Sequence, residues 1–298
     1  MNHFLLFSIC LCSLLIVSCS SHDPDQKKTI KEPILKIDSV FIDSSLTSPL
    51  PEHSFYIISK EKTMEWNLDS LSPEKLNIIM ALNRIDYADV WRTDSLIAPE
   101  NLSDELINYT PFPKNIQSIQ SVRKLLIVSY KIQAFATYEN GILTRWGPVS
   151  MGKKSTPTPV GLFHTNWKSK ETISTIDSGW VLKWYFNFDN FEGVSLHEYE
   201  LPGFPASHAC IRLYPEDAYF FYYWAEQWIL ESDFKISAYG TPIIIFGEYS
   251  FGKRKPWLYL NDHPHYLDFS EEELTVLIQE HLMFILQRQT QRDSIPDL

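Results

Sequence analysis

Cysteine is almost missing from the body of this 298-residue sequence: Cys10, Cys12 and Cys19 crowd the N-terminus, and beyond them only Cys210 remains. A disulfide framework is thereby excluded for everything after residue 19. Basic residues are short too, 26 against 37 acidic ones for a formal net charge of −11. Such a surface repels phosphate backbones, so no nucleic acid is expected as a partner. Glycine is scarce at 10, proline moderate at 18, and no period or low-complexity tract occurs, which excludes collagen-like chains, solenoids and wholesale disorder. What is present is ample material for a core, 44% hydrophobic and 14% aromatic residues.

The apolar stretch from Phe4 to Val17 is uncharged but shorter than the roughly 20 residues that cross a bilayer, and it reads as a signal-peptide core. It runs into Ile16-Val17-Ser18-Cys19, which resembles the lipobox of bacterial lipoproteins. The resemblance implies a signal peptide over 1–18, a diacylglycerol on the Cys19 thiol, and a chain anchored by lipid to a membrane of the cell envelope, facing the periplasm. The n-region Met1-Asn2-His3 departs from the pattern in having no Lys or Arg. Residues 19–50 mix Ser, Asp, Pro and Lys without periodicity and suit a tether. On this reading Cys210 is the one free thiol of an exported chain, and it is either buried or used as a nucleophile.

Residues 51–115 read as a small α/β module. Ser72-Pro73-Glu74 is a helix start, with Leu76, Ile79, Met80 and Asn83 following at helical spacing. Leu82-Asn83-Arg84-Ile85-Asp86 and Asp94 to Pro99 are weakly similar to the second half of a LysM glycan-binding module, which implies strand, two helices and strand, with Phe55 to Ser59 first. The pattern equally suits a helical subdomain packed on the β-rich domain C-terminal to it. That domain covers residues 118–250, with strand-like runs at 124–130, 133–138, 161–163, 180–188, 193–196 and 242–246 and a hairpin turn at Glu139-Asn140-Gly141. One helix interrupts them, opened by Pro215 with Glu216 and Asp217 in its first turn and continuing through Ala218 to Trp228; being apolar and aromatic nearly all round, it is expected to be buried. Residues 251–298 form an extension whose long helix starts at Ser270 with Glu273 completing a capping box. His263-Pro264-His265 has a spacing that zinc could use, but no third ligand is suggested nearby, and neither metal nor cofactor is expected.

Chemistry concentrates around the lone thiol. His197 is followed thirteen positions later by Cys210 within Ser207-His208-Ala209-Cys210-Ile211-Arg212-Leu213. A nearby imidazole can take a thiol proton and later return it to a leaving amine. The string closely resembles the L,D-transpeptidase (YkuD-type) signature, a His followed by Ser/Thr-His-Gly-Cys. Gly147-Pro148-Val149-Ser150-Met151-Gly152, Thr156-Pro157-Thr158-Pro159-Val160-Gly161-Leu162-Phe163 and Gly240-Thr241-Pro242 resemble other motifs of the family, in its order.

The resemblance implies a mainly β catalytic domain, a sandwich or barrel with a packed helix, acting on peptidoglycan stem peptides through a cysteine thioester. Position by position, Cys210 becomes the nucleophile, His197 the base and His208 a support for the thiolate or oxyanion pocket. The N–H groups of Ala209 and Cys210 form that pocket, and Ser207 and Arg212 meet substrate. A salt bridge from Arg212 to Glu216 or Asp217 is the alternative for that residue. Three departures stand out: Ala209 replaces Gly and would be strained at positive φ, Glu198 follows the base, and the His-to-Cys interval is short. They leave open a cysteine carboxypeptidase or amidase on the same substrate, or an inactive glycan-binding lipoprotein. Papain-like enzymes, with Cys before His, are disfavoured.

Overall fold

The computed structural model describes residues 53–59, 68–102, 105–174, 176–231 and 235–295. The expected signal peptide, Cys19 and the tether lie outside these residues. Among the described residues no helix is long and apolar enough to cross a membrane.

Strand β1 (Phe55–Ser59) pairs antiparallel with β2 (Ser95–Pro99), and helix α1 (Pro73–Asn83) connects them in sequence. The Ser72 side chain accepts the Lys75 N–H, and Pro73 sits where a missing N–H costs nothing. Asn83, at helical spacing from Leu76, Ile79 and Met80, has a polar task. Its amide donates to the Ile79 and Ile97 carbonyls and accepts the Ile97 N–H, which fastens α1 to β2. Only one α-helix, not two, lies between these strands among the described residues; the other segments there are 3-10 turns, as at Tyr87–Arg92.

Two sheets make the body, and the fold is mainly β. Strands β3 (Leu125–Ser129), β4 (Ala134–Glu139), β5 (Ile142–Pro148), β6 (Gly161–His164) and β13 (Pro242–Phe246) form a five-stranded sheet ordered β5-β4-β3-β13-β6, antiparallel except for β3 against β13. The β4–β5 hairpin turns through Asn140 and Gly141 at φ 50° and 80°, the doubly positive pair its tight turn requires. Strands β7 (Lys168–Ile173), β8 (Val181–Asp189), β9 (Val194–Glu198) and β10 (Ile211–Leu213) form the second sheet in the order β10-β9-β8-β7. A short ribbon, β11 (Ile229–Leu230) with β12 (Ile236–Ala238), lies apart from both sheets.

One hydrophobic core joins Val128 and Ile244 of the first sheet to Phe186, Leu196, Ile211 and Leu213 of the second. Ile78, Leu82 and Ile97 enter it from the N-terminal side, and Trp257, Leu267, Leu274, Ile278 and Ile285 from the C-terminal side. Each flanking segment thus contributes to a shared interior, and the N-terminal one also builds a second cluster, in which Ile58, Ile79, Ile85, Leu96 and Ala98 pack with Leu201 and Tyr214.

Helix α2 (Pro215–Trp224) stops four residues earlier than its apolar run. Ala225 turns extended, the Glu226 N–H goes to Thr241 Oγ1 and the Trp228 N–H to the Asn166 carbonyl, so bonds to neighbouring strands replace helical ones. Nor is the helix buried all round. Phe221 packs edge-on to Phe135 in the core, whereas Tyr219 and Tyr223 are exposed against Trp184. Helix α3 (Glu271–Asp293) opens with the expected capping box between Ser270 and Glu273.

Candidate active site

The site is laid out by strand register. β9 and β10 run parallel, with Ile211 opposite Leu196 and Arg212 opposite His197; carried back one step, Cys210 falls beside Ser195. Paired residues share a face and faces alternate along a strand. Leu196, Ile211 and Leu213 thus enter the core while Ser195, His197, Cys210 and Arg212 share the other face. Cys210, His197, His208, Ser207 and Arg212 line one pocket, which Trp180, Leu182 and Tyr199 also border.

Within it, the Cys210 thiol lies 3.3 Å from Ser195 Oγ and 4.0 Å from the Gly193 carbonyl oxygen. Sequence reasoning expects instead a direct thiol-to-imidazole contact of about 3 to 4 Å with His197. Neither imidazole is a hydrogen-bond partner of the thiol, because the register sets Ser195 beside Cys210 and carries His197 one pair further along. His197 Nδ1 is 2.9 Å from the Glu198 carbonyl. A carbonyl only accepts, so Nδ1 holds the hydrogen and Nε2 is left with a free lone pair. Burial pushes His197 down to about 4, against the Glu198 bond and aided by the Arg212 charge. Burial also pushes the Cys210 thiol up, opposed by its bonds to Ser195 and by Arg212. Thiol and imidazole therefore both rest neutral, without a bond between them.

The loop that carries Cys210 is held by the motifs upstream. Ala209 takes φ 77°, the left-handed conformation that disfavours a Cβ. Thr158 donates its hydroxyl to the Ala209 carbonyl at 2.7 Å and accepts the Gly152 N–H at 2.8 Å. Gly152 has to be glycine, since a Cβ there would stand 2.2 Å from the Thr156 carbonyl oxygen. Ser207, expected to meet substrate, is buried and gives its hydroxyl to the Cys210 carbonyl; it shapes the loop.

His208 Nε2 lies 2.9 Å from Lys153 Nζ. An ammonium only donates, so Nε2 accepts and Nδ1 carries the hydrogen, buried and without a partner. Burial, then the charges of Lys153 and Arg212, lower the His208 pKa. Arg212 stacks 4.3 Å over the Tyr199 ring and reaches the Glu200 carbonyl at 3.4 Å. Neither Glu216 nor Asp217 pairs with it, because Asp217 is taken by Arg145 at 2.6 Å. Sequence reasoning missed Ser195, Lys153 and Thr158. Ser195 had a signal, since it lies two residues before His197 on the same strand face.

Residues 123–245 match the model of YkuD, the L,D-transpeptidase catalytic domain. No curated protein matches the chain. Among solved structures, an L,D-transpeptidase from Stackebrandtia nassauensis is 23% identical over 42% of this chain and 56% of that one, with a TM-score of 0.35. One from Mycobacterium smegmatis is 23% identical over 42% and 59%, with a TM-score of 0.33. L,D-transpeptidase 1 of Mycobacterium tuberculosis is 24% identical over 42% and 62%, with a TM-score of 0.31. The chain thus spans 56 to 62% of the length of these structures. The segment that brings His197 and Cys210 onto one sheet face lies within the residues, 123–245, that match the L,D-transpeptidase catalytic domain of the YkuD type.

Proposed function

We propose that the protein is a cell-envelope L,D-transpeptidase that acts on peptidoglycan stem peptides through a thioester on Cys210, held to a membrane by lipid on Cys19. The observation that carries this reading is the shared face and pocket of Cys210, His197 and Arg212 inside the matched domain. A stem-peptide carboxylate meets Arg212 and brings the scissile carbonyl over the thiol. The Cys210 thiol then leaves its Ser195 bond, loses its proton to His197 Nε2 and attacks the carbonyl carbon. The oxyanion is received by the N–H groups of Ala209 and Cys210. Collapse to the thioester breaks the amide bond, and the leaving amine takes the proton from His197. An acceptor amine attacks the thioester and restores the thiol.

The test is intact-protein mass after incubation with a carbapenem, a strained acylating agent. One adduct, lost in Cys210→Ala, is the expected result. A folded protein that gains no adduct would sink the reading and leave an inactive binding lipoprotein. Adduct formation followed by release of free acid in the presence of amine acceptors would make the enzyme a hydrolase.

A further inference from the structure

The thiol is held at rest by a group that the thioester chemistry does not itself require. Sγ of Cys210 lies 3.3 Å from Ser195 Oγ, with the Gly193 carbonyl at 4.0 Å, and bonds to neither imidazole. Ser195 is fully buried in β9, directly opposite Asn187 of β8. Asn187 commits its own side chain elsewhere: it accepts from Asn166 Nδ2 at 2.8 Å and donates to the Tyr185 hydroxyl at 3.4 Å and the Asp189 carbonyl at 3.2 Å. Tyr185, buried two residues before Asn187 with its ring against Trp167, faces Ser195. The Ser195 hydroxyl is thus set in a packed polar row that ends on the sulfur, where burial shuts out solvent.

That row decides where the sulfur waits. His197 lies further along the same face of β9, so a sulfur turned to Ser195 is turned away from the imidazole. Turning to His197 leaves a buried hydroxyl short of a partner, a cost of the size that shifts a population about tenfold. We propose that Ser195 is a positioning residue, which holds the Cys210 sulfur clear of His197 until bound substrate draws it to the base. The proposal rests on His197 being the base, as in the transpeptidase reading. A neutral thiol kept away from its base is also a poor target for oxidants.

Removing the hydroxyl has two opposed effects. The Ser195 bond lowers the thiol pKa that burial raises, so its loss alone disfavours the thiolate. Contact with an imidazole favours proton release by more than one neutral donor does, and this second effect wins. The other groups that face the sulfur are Arg212 on its own strand, Tyr185 from β8, Tyr199 just beyond β9, and His208, bonded to Lys153, from the loop before β10. All of these are the same in wild type and in a Ser195 variant.

The test is iodoacetamide alkylation of the folded full chain from mildly acid to alkaline pH, read at Cys210 by peptide mass. Wild type should react slowly near neutrality and faster only towards the alkaline side. Ser195→Ala should react about tenfold faster near neutral pH, with its profile moved to the acid side. Ser195→Ala combined with His197→Ala should lose that gain. A Ser195→Ala profile moved to the alkaline side, an unchanged profile, or a gain that survives the loss of His197 would each overturn the proposal. Should the double variant fail to fold, the direction of the single variant's shift decides. Carbapenem adducts on the wild type report the catalytic reading separately: no adduct together with an acid-shifted Ser195→Ala profile would sink transpeptidation and leave the hold on the thiol standing.

Discussion

At Ala209 a methyl group occupies a left-handed backbone position, φ 77°, directly before the nucleophile. An L residue there costs roughly 1 to 2 kcal/mol, and glycine returns roughly 0.4 to 1 kcal/mol of that through the freedom of the unfolded chain. Ala209→Gly should therefore stabilise the protein by about 0.5 to 1 kcal/mol. Urea unfolding is the check; a loss of stability would mean that the loop does not hold this conformation in solution. The strain persists because neighbours over-determine it: the Ala209 carbonyl is held by Thr158 and the Cys210 carbonyl by Ser207.

At the scale of elements, the segment from Ser150 to Thr158 acts as a clamp on the nucleophile loop. The Ser150 N–H donates to the Arg212 carbonyl, the Ser207 N–H to Met151 and the Lys153 N–H to Ser207. Thr158→Val keeps the shape and removes the hydroxyl, leaving the buried Gly152 N–H and Ala209 carbonyl unpaired at a cost of about 2 kcal/mol. Carbapenem acylation should slow with it; equal stability and equal rate would show that the clamp does not matter. Strands β3 and β13 were legible because each is a contiguous apolar run between turn residues, as Leu125–Ser129 is, whereas β7 (Lys168–Ile173) and β10 (Ile211–Leu213) went unread. Chemistry was legible to the extent that His197 and Cys210 share one motif. What escaped depends on partners remote in sequence. Lys153 matters through His208, 55 positions away, and Ser195 through a parallel pairing 15 positions on. Helix α2 ends where Thr241 and Asn166 offer better hydrogen bonds than the next helical turn, which no local pattern in 215–228 reveals.

For the whole molecule, acid is the informative perturbant. Burial holds His197 down at about 4, and burial with the Arg288 charge holds His164 at about 3, against an ordinary 6.5. Between those values and 6.5 the unfolded chain binds more protons, so the stability these histidines contribute is present above 6.5 and lost as pH falls towards 4. For His197 the full loss is about 3 kcal/mol. Asp217, raised by burial to about 7, and Asp86, raised by burial to about 6, act in the opposite sense, binding more protons when folded and favouring the native state as pH falls. The opposed contributions should flatten stability between pH 4 and 6.5. Asp217→Asn removes one of the opposing groups, and its unfolding free energy should fall more steeply with acid than the wild type's. An unchanged slope in paired denaturant titrations would show that Asp217 is ionised throughout.

The parallel pairing of β9 with β10 separates two quantities that the sequence ties together. Because Arg212 stands opposite His197 through the sheet, the distance between imidazole and thiol is set by backbone hydrogen bonds and not by the chain that connects them. That connection, 199–209, is anchored early, where Leu201 exchanges hydrogen bonds with Asp86, and late, where Ser207 bonds to Met151; between them Phe204 is exposed. Between these anchors Ser150 Oγ also donates to the Phe204 carbonyl and accepts the Ala206 N–H, so a change of chain length here must respect those bonds, while the sheet holds His197 and Cys210 at their spacing. The short His-to-Cys interval is thus a difference in loop length, separable from the spacing that the paired strands impose on His197 and Cys210.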